Sequence, residues 1–272
     1  MSHDESDIAQ PLSGWEASAP PQDTALRQFI LAQCAFQRLS GEALGATILE
    51  TDAFIAVDSG RAATMLNFAV LKQPLFGMDL ETAMEPIQAL YEQSGAVGFA
   101  ALYSPLPTAD LSPWGWTLAG HPPMQLRHAS TPLIDTRDVQ VTRVRSDAEM
   151  ALFERITIDG FGFEELRESP PGSWMAPELF DDPRFTAWIG SVEGEGVSAA
   201  ASIEEAGIVN LVTVATIPSG RRKGGALAVT QAAARPELGL PSALFSSDEG
   251  RPVYERLGYV PIMRGSFWYR NR

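Results

Sequence analysis

The stretch IVNLVTVATIPSGRRKGGALAVTQAAA, Ile208 to Ala234, constrains the fold more than any other. Its first nine residues are apolar and β-branched and predict a strand. Pro218 ends the ladder because it has no N–H to donate. Gly220 turns the chain, and an Ala-rich helix is expected from about Arg222 to Arg235. A strand, a turn and a helix need a strand to return to, and PSALFSS (Pro241–Ser247) supplies one. The unit therefore predicts an α/β architecture with helices on the faces of a sheet.

The same turn is chemically unusual. Three consecutive cations, Arg221, Arg222 and Lys223, abut Gly224 and Gly225 in a chain of formal net charge −14. Residues 1–216 hold 11 cations against 30 anions, a balance of −19, whereas residues 217–272 hold 9 against 4, a balance of +5. A helix N-terminus offers N–H groups without intrahelical partners and the positive end of a dipole. Glycines let a bulky anion approach the backbone, and the cations add charge-assisted bonds. The expected ligand is a pyrophosphate-like anion. The order of residues fits neither G-x-x-x-x-G-K-[ST] nor G-x-G-x-x-G. The overall acidity argues against nucleic-acid binding, which requires a basic face.

At 272 residues and 45 % hydrophobic, the chain can build one large or two ordinary domains with a real core. No run of about 18 apolar residues is present, so no membrane span is expected. The opening MSHDESDIAQ is acidic and does not resemble a signal peptide. The single cysteine, Cys34, fits a reducing, cytoplasmic setting and lies in a helical apolar pattern, where a buried structural thiol is expected.

Residues 1–22 read as a flexible acidic tail. In the first half, a helix follows Asp23 or Thr24, then a hairpin around Asp52–Leu71, a helix at Leu80–Tyr91 and a strand at Phe99–Tyr103. The stretch Ser112–Met124 gives no clear pattern. A boundary is expected in STPLIDTR (Ser130–Arg137), dividing domains at 23–135 and 136–272. In the second half, VQVTRVR is a strand, and Ser146 with Glu149 forms a capping-box signature for a helix to about Ile158. RFTAWIGSV and GVSAAASI are strands. A helix from Asp248 to Leu257 and a strand at Ser266–Arg270 complete the chain. Antiparallel strands followed by alternating strands and helices predict a mixed sheet.

Two motifs in this order carry a resemblance. Arg221-x-x-Gly224-x-Ala226, with Pro218 three residues ahead, is similar to the Q/R-x-x-G-x-G/A turn of the GCN5-related N-acetyltransferases (GNAT). SSDEGRPVYERLGYV (Ser246–Val260) resembles that family's N-x-x-A-x-x-[LV]-Y-E-K-L-G-F. The resemblance covers residues 138–272. Arg222 stands where Gly is frequent, Ser247 where Asn is usual and Gly250 where Ala is usual. A positive φ at Arg222 would strain it.

The resemblance implies a GNAT fold with splayed central strands over 136–272 and acetyl-CoA as co-substrate, with no metal. It implies that Val214, Ala215 and Thr216 meet the pantetheine arm. Arg221, Arg222, Lys223, Gly224, Gly225 and Ala226 would hold the pyrophosphate, with Ser247 near the cofactor arm. Tyr254 would act as general acid toward the leaving thiolate; a phenol remains protonated at neutral pH. The implied reaction is direct acetyl transfer to the amine of a small molecule, with a homodimer as one assembly. Phe161, Phe163, Trp174 and Asn210 are candidate acceptor contacts, and Trp188 is a further aromatic candidate.

No base is marked. Glu204 or Glu205 could accept a proton directly or through water, although both also read as solvated turn residues. His3, His121 and His128 read as surface or packing histidines. Ser247 lacks a G-x-S-x-G elbow and any histidine in 138–272. Three alternatives stay open: a non-catalytic acyl-CoA module, transfer of a longer acyl group, and a protein amine as acceptor. The first half reads as a degenerate second GNAT-like copy. The motivation is its order of elements and an echo between WGWTLAGHPPMQLR and the Leu257–Arg264 segment.

Overall fold

The computed structural model describes residues 24–94, 98–136 and 138–271; the expected tail at 1–22, with His3, lies outside the described residues. The first half runs α1 (Ala25–Ala43), β1 (Thr47–Glu50), β2 (Phe54–Asp58), β3 (Asn67–Leu71), α2 (Gly77–Gln93), β4 (Phe99–Ser104), β5 (Thr117–Gly120) and β6 (Pro123–Arg127). The second runs β7 (Gln140–Arg143), α3 (Asp147–Phe161), β8 (Phe185–Val192), β9 (Glu195–Glu205) and β10 (Ile208–Thr216). It continues through α4 (Gly225–Ala233), β11 (Ser242–Phe245), α5 (Arg251–Arg256), β12 (Val260–Arg264) and β13 (Ser266–Asn271).

Local chemistry explains the helix starts. The Thr24 hydroxyl accepts the Arg27 N–H at 3.2 Å and caps α1. Ser146 and Glu149 form the reciprocal capping box of α3. The α4 helix begins at Gly225, three residues later than the sequence suggests. Arg222 has φ 65° and Gly224 φ 85°, so neither can lie in a right-handed turn.

Two mixed sheets form, in the orders β1-β2-β3-β4-β13-β5 and β12-β6-β11-β10-β9-β8-β7. Each half contains a strand–helix–strand crossover with parallel pairing: β3–α2–β4 in one, β10–α4–β11 in the other. Each half also surrenders its last strand. β6 lies antiparallel between β11 and β12, and β13 lies antiparallel between β4 and β5. The expected division near residue 136 falls between β6 and β7, but the sheets exchange strands across it. The repeat is thus one of topology, with β5 and β6 matching β12 and β13. The echo read in the sequence aligns β6 with β12, one strand out of step.

The exchange fuses the halves into one body. Phe29 and Ile30 of α1 pack between Ile55, Val57, Phe68 and Tyr103 of one sheet and Met124, Ile208 and Ala243 of the other. Cys34 is buried there, and burial pushes its thiol up to about 12, so it is protonated and inert at neutral pH. In the first half, β3 and β4 pair in parallel from Phe68↔Ala101 to Val70↔Tyr103. The turn into α2, Leu75–Gly77, carries no cation. Among the described residues, no helix is long and apolar enough to cross a membrane, and no three His, Cys, Asp or Glu side chains cluster as a metal site.

Candidate active site

The site begins with a defect in β10. A bulge between Leu211 and Thr213 breaks its register with β9 and bends the strand. On its other side, β10 pairs with β11 only at Val209↔Ser242 and Asn210↔Ala243. Beyond that point the strands diverge. Among the described residues, no strand pairs with the edge of β10 from Thr213 to Thr216 that faces away from β9, and this edge lines the cavity as far as Val214. The sequence-derived residues Val214, Ala215 and Thr216 lie on this edge. The Thr216 hydroxyl is 2.9 Å from that of Ser198, which anchors the edge to β9.

The cationic turn lies at the open end of the split. Pro218–Gly220 makes a single 3-10 turn, and the N–H of Gly220 reaches Ile217 O at 2.9 Å. From Arg222 to Leu227 no backbone N–H finds an acceptor among the described residues. Gly225 is required by space, since a Cβ there would collide with the Ser198 hydroxyl. This close approach seats the first turn of α4 on β9. Arg221, Arg222 and Lys223 are exposed, and none forms an ion pair among the described residues. Free donors, the positive helix end and three uncommitted cations fit a pyrophosphate.

The split opens into a cavity of about 550 Å³. Leu211, Val212, Thr213 and Val214 line one wall, and Leu244 to Asp248 line the other, with Gly250 and Tyr254. Phe161, at the end of α3, closes one side, where Gly160 lets the helix lie against Ala215 and Thr216. The remaining lining comes from elsewhere: Met65 and Ala119 to Pro122 of the first half, and Phe267 of the exchanged β13. The cavity therefore lies between the two halves.

Tyr254 is 8 % exposed and packs edge-on against Tyr259, with ring centroids 6.0 Å apart. Burial raises its phenol well above the ordinary tyrosine value, so it carries its proton throughout the neutral range. Ser247 lines the cavity, but its hydroxyl accepts the Gly250 N–H at 3.1 Å and shapes the turn before α5.

The aromatic candidates divide. Phe161, Phe163 and Trp174 form one aromatic cluster, with Phe163 and Trp174 centroids 4.4 Å apart, and Phe161 presents this group to the cavity. Trp188 belongs instead to the buried cluster beneath α4 that includes Val229. Asn210 is fully buried at the closed end of the split, where its amide donates to Gln33 Oε1 at 2.8 Å; it does not reach the cavity lining. Glu204 and Glu205 lie away from the cavity, facing Arg235 at 3.6 Å and Arg184 at 2.6 Å.

Two features escaped the sequence reading. His121, read there as a surface or packing residue, lines the cavity. Glu154, on α3, is 3 % exposed, and its carboxylate accepts the N–H groups of Gly172, Trp174 and Met175 at 2.6, 2.6 and 3.0 Å. It holds the loop that carries Trp174, and Arg61 of the first half donates to Ser173 O in the same loop. An acid two positions before the apolar Ile156 gives no sign of this in the sequence.

No protein-family model and no curated protein matches the chain. Solved structures do. A GCN5-related N-acetyltransferase from Kribbella flavida superposes with TM-score 0.61 at 20 % identity, over 87 % of this chain and 95 % of that one. A conserved protein of unknown function from Staphylococcus epidermidis gives 0.60 at 12 %, over 87 % and 99 %. A GCN5-related N-acetyltransferase from Sphaerobacter thermophilus gives 0.55 at 13 %, over 92 % and 94 %. The chain has the GNAT fold, and the likeness extends over both halves.

Proposed function

We propose that the chain is an N-acetyltransferase that moves an acetyl group from acetyl-CoA to the amine of a small molecule. One observation carries the reading: the split between β10 and β11 ends at a run of N–H groups, beneath three cations, that have no partner among the described residues. Acetyl-CoA, as co-substrate, supplies the activated acyl group. Arg221, Arg222, Lys223 and the amides through Ala226 hold its pyrophosphate. The open edge Val214–Thr216 pairs with the amide-bearing arm, and Ser247 shapes the facing turn. Tyr254, kept protonated by burial, gives a proton to the leaving sulfur. Phe161, backed by Phe163 and Trp174, favours an apolar or aromatic acceptor. A single buried cysteine suits a reducing compartment such as the cytosol.

A second reading, a non-catalytic acyl-CoA-binding module, draws support from Ser247, whose hydroxyl is already engaged by Gly250. Release of free thiol on mixing the protein with acetyl-CoA and a panel of aromatic and aliphatic amines separates the two. Amine-dependent release supports transfer. Tight acetyl-CoA binding with no release for any amine or longer acyl-CoA supports the module.

A further inference from the structure

The cavity holds three titratable side chains: His121, Asp248 and Tyr254. Acetyl transfer to an ammonium requires a group that accepts a proton at neutral pH. Tyr254 is an acid there, not a base. Asp248 is ionised, but Arg264 grips both its oxygens, at 2.7 and 3.3 Å, and holds its carboxyl below the usual range. A carboxylate so engaged is a poor proton acceptor. His121 is left.

Its placement depends on the strand exchange. His121 and Pro122 form the crossover from β5 to β6, and Gly265 is the crossover from β12 to β13. The two crossovers lock together. The Gly265 N–H donates to Pro122 O at 3.1 Å, and Arg264 donates to His121 O at 2.6 Å. The imidazole Nδ1 is 3.1 Å from Gly265 O, a contact that only Nδ1–H can make, because a carbonyl can only accept. Ser266 Oγ lies 3.4 Å from the same nitrogen. Nε2 is then the bare nitrogen, with no protein partner among the described residues. The charged groups at this crossover are Arg264 and its partner Asp248.

We propose that His121 is the general base of the reaction, supplied to the C-terminal site by the first half of the chain. The inference rests on the acetyl-transfer reading. Nε2 takes one proton from the R–NH3+ acceptor and passes it to solvent. The freed lone pair forms the N–C bond, and the C–S bond breaks. The sulfur takes the Tyr254 proton, the second nitrogen proton restores the phenol, and the third stays on the amide. The fixed Nδ1–H contact orients the ring and sets its tautomer.

The test uses the full chain, acetyl-CoA and 2-phenylethylamine as probe acceptor. His121→Asn keeps a donor at the δ position toward Gly265 O and removes the base. The expected result is acetyl-CoA affinity within twofold of wild type and kcat/KM for the amine about 100-fold lower at pH 7. The gap should narrow toward pH 10 as free amine accumulates, and added imidazole should restore part of the rate. A variant within threefold of wild type at pH 7, or a gap constant with pH, overturns the assignment alone. A wild type that does not bind acetyl-CoA overturns the transfer reading, and this with it. If the wild type binds acetyl-CoA but leaves 2-phenylethylamine unreacted, 15N NMR of the imidazole decides. An Nδ1–H tautomer whose Nε2 resonance moves when the amine is added to CoA-saturated protein supports the proposal. An Nε2–H tautomer or an unmoved resonance overturns it.

Discussion

Replacing Arg222 with glycine should raise stability while weakening acetyl-CoA binding, two effects of opposite sign from one residue. Arg222 has φ 65°, in the left-handed region. Holding an L-residue with a Cβ there costs about 1–2 kcal/mol. Glycine removes that strain but adds unfolded-state freedom worth about 0.4–1 kcal/mol. The net gain is roughly 0.5–1 kcal/mol, a rise in Tm of about 2 °C for a chain of this size. Nothing in the folded state offsets the gain, because the side chain is exposed and forms no ion pair among the described residues. The lost cation should weaken acetyl-CoA binding about tenfold, at the lower end for a charge-assisted contact because the group is solvated. Arg222→Ala separates the effects: it keeps the strain and loses the charge. Thermal unfolding and calorimetric titration of both variants are the assays. Equal stability for the Gly and Ala variants would refute the strain argument. Wild-type affinity in both would remove Arg222 from the cradle.

Other consequences follow from the same geometry. Tyr254→Phe should lower kcat about 100-fold while leaving acetyl-CoA affinity intact. Because burial raises the Tyr254 phenol, the wild-type rate should show no loss attributable to its ionisation up to about pH 10; a fall beginning near pH 8 that disappears in the Phe variant would contradict this. Glu154→Ala leaves the N–H groups of Gly172, Trp174 and Met175 without their acceptor. It should destabilise the fold by about 2–3 kcal/mol and raise the acceptor KM, read from urea unfolding and initial rates. The strand exchange predicts that halves cut between β6 and β7 will not fold alone but will co-purify when co-expressed; two independently folded halves would contradict it.

The strand–turn–helix unit, the α1 and α3 caps and the cationic turn were all legible because each depends on residues adjacent in sequence. Ser146 and Glu149, for example, meet within one helical turn. The start of α4 is not legible, because a helical pattern does not reveal that Arg222 takes a left-handed angle. The short strands β1, β5 and β12, four or five residues each, fall below what periodicity resolves. The β6 segment Pro123–Arg127 begins in a stretch without a clear pattern, and nothing local says that it inserts between β11 and β12. The place of His121 in the cavity is hidden for the same reason. Its importance arises where two crossovers 144 positions apart in sequence meet. Asn210 is the opposite case: its polarity beside the splayed edge suggests an available contact, but Gln33, 177 positions away, takes its amide.

The central claim is that the cationic turn at the end of the split is a pyrophosphate cradle. Calorimetric titration with acetyl-CoA, of wild type beside an Arg221→Ala, Lys223→Ala double variant, tests it most directly. The account predicts micromolar binding by the wild type and a loss of about 2 kcal/mol or more in the variant. Equal affinity in the two proteins, or no binding by the wild type, would contradict it.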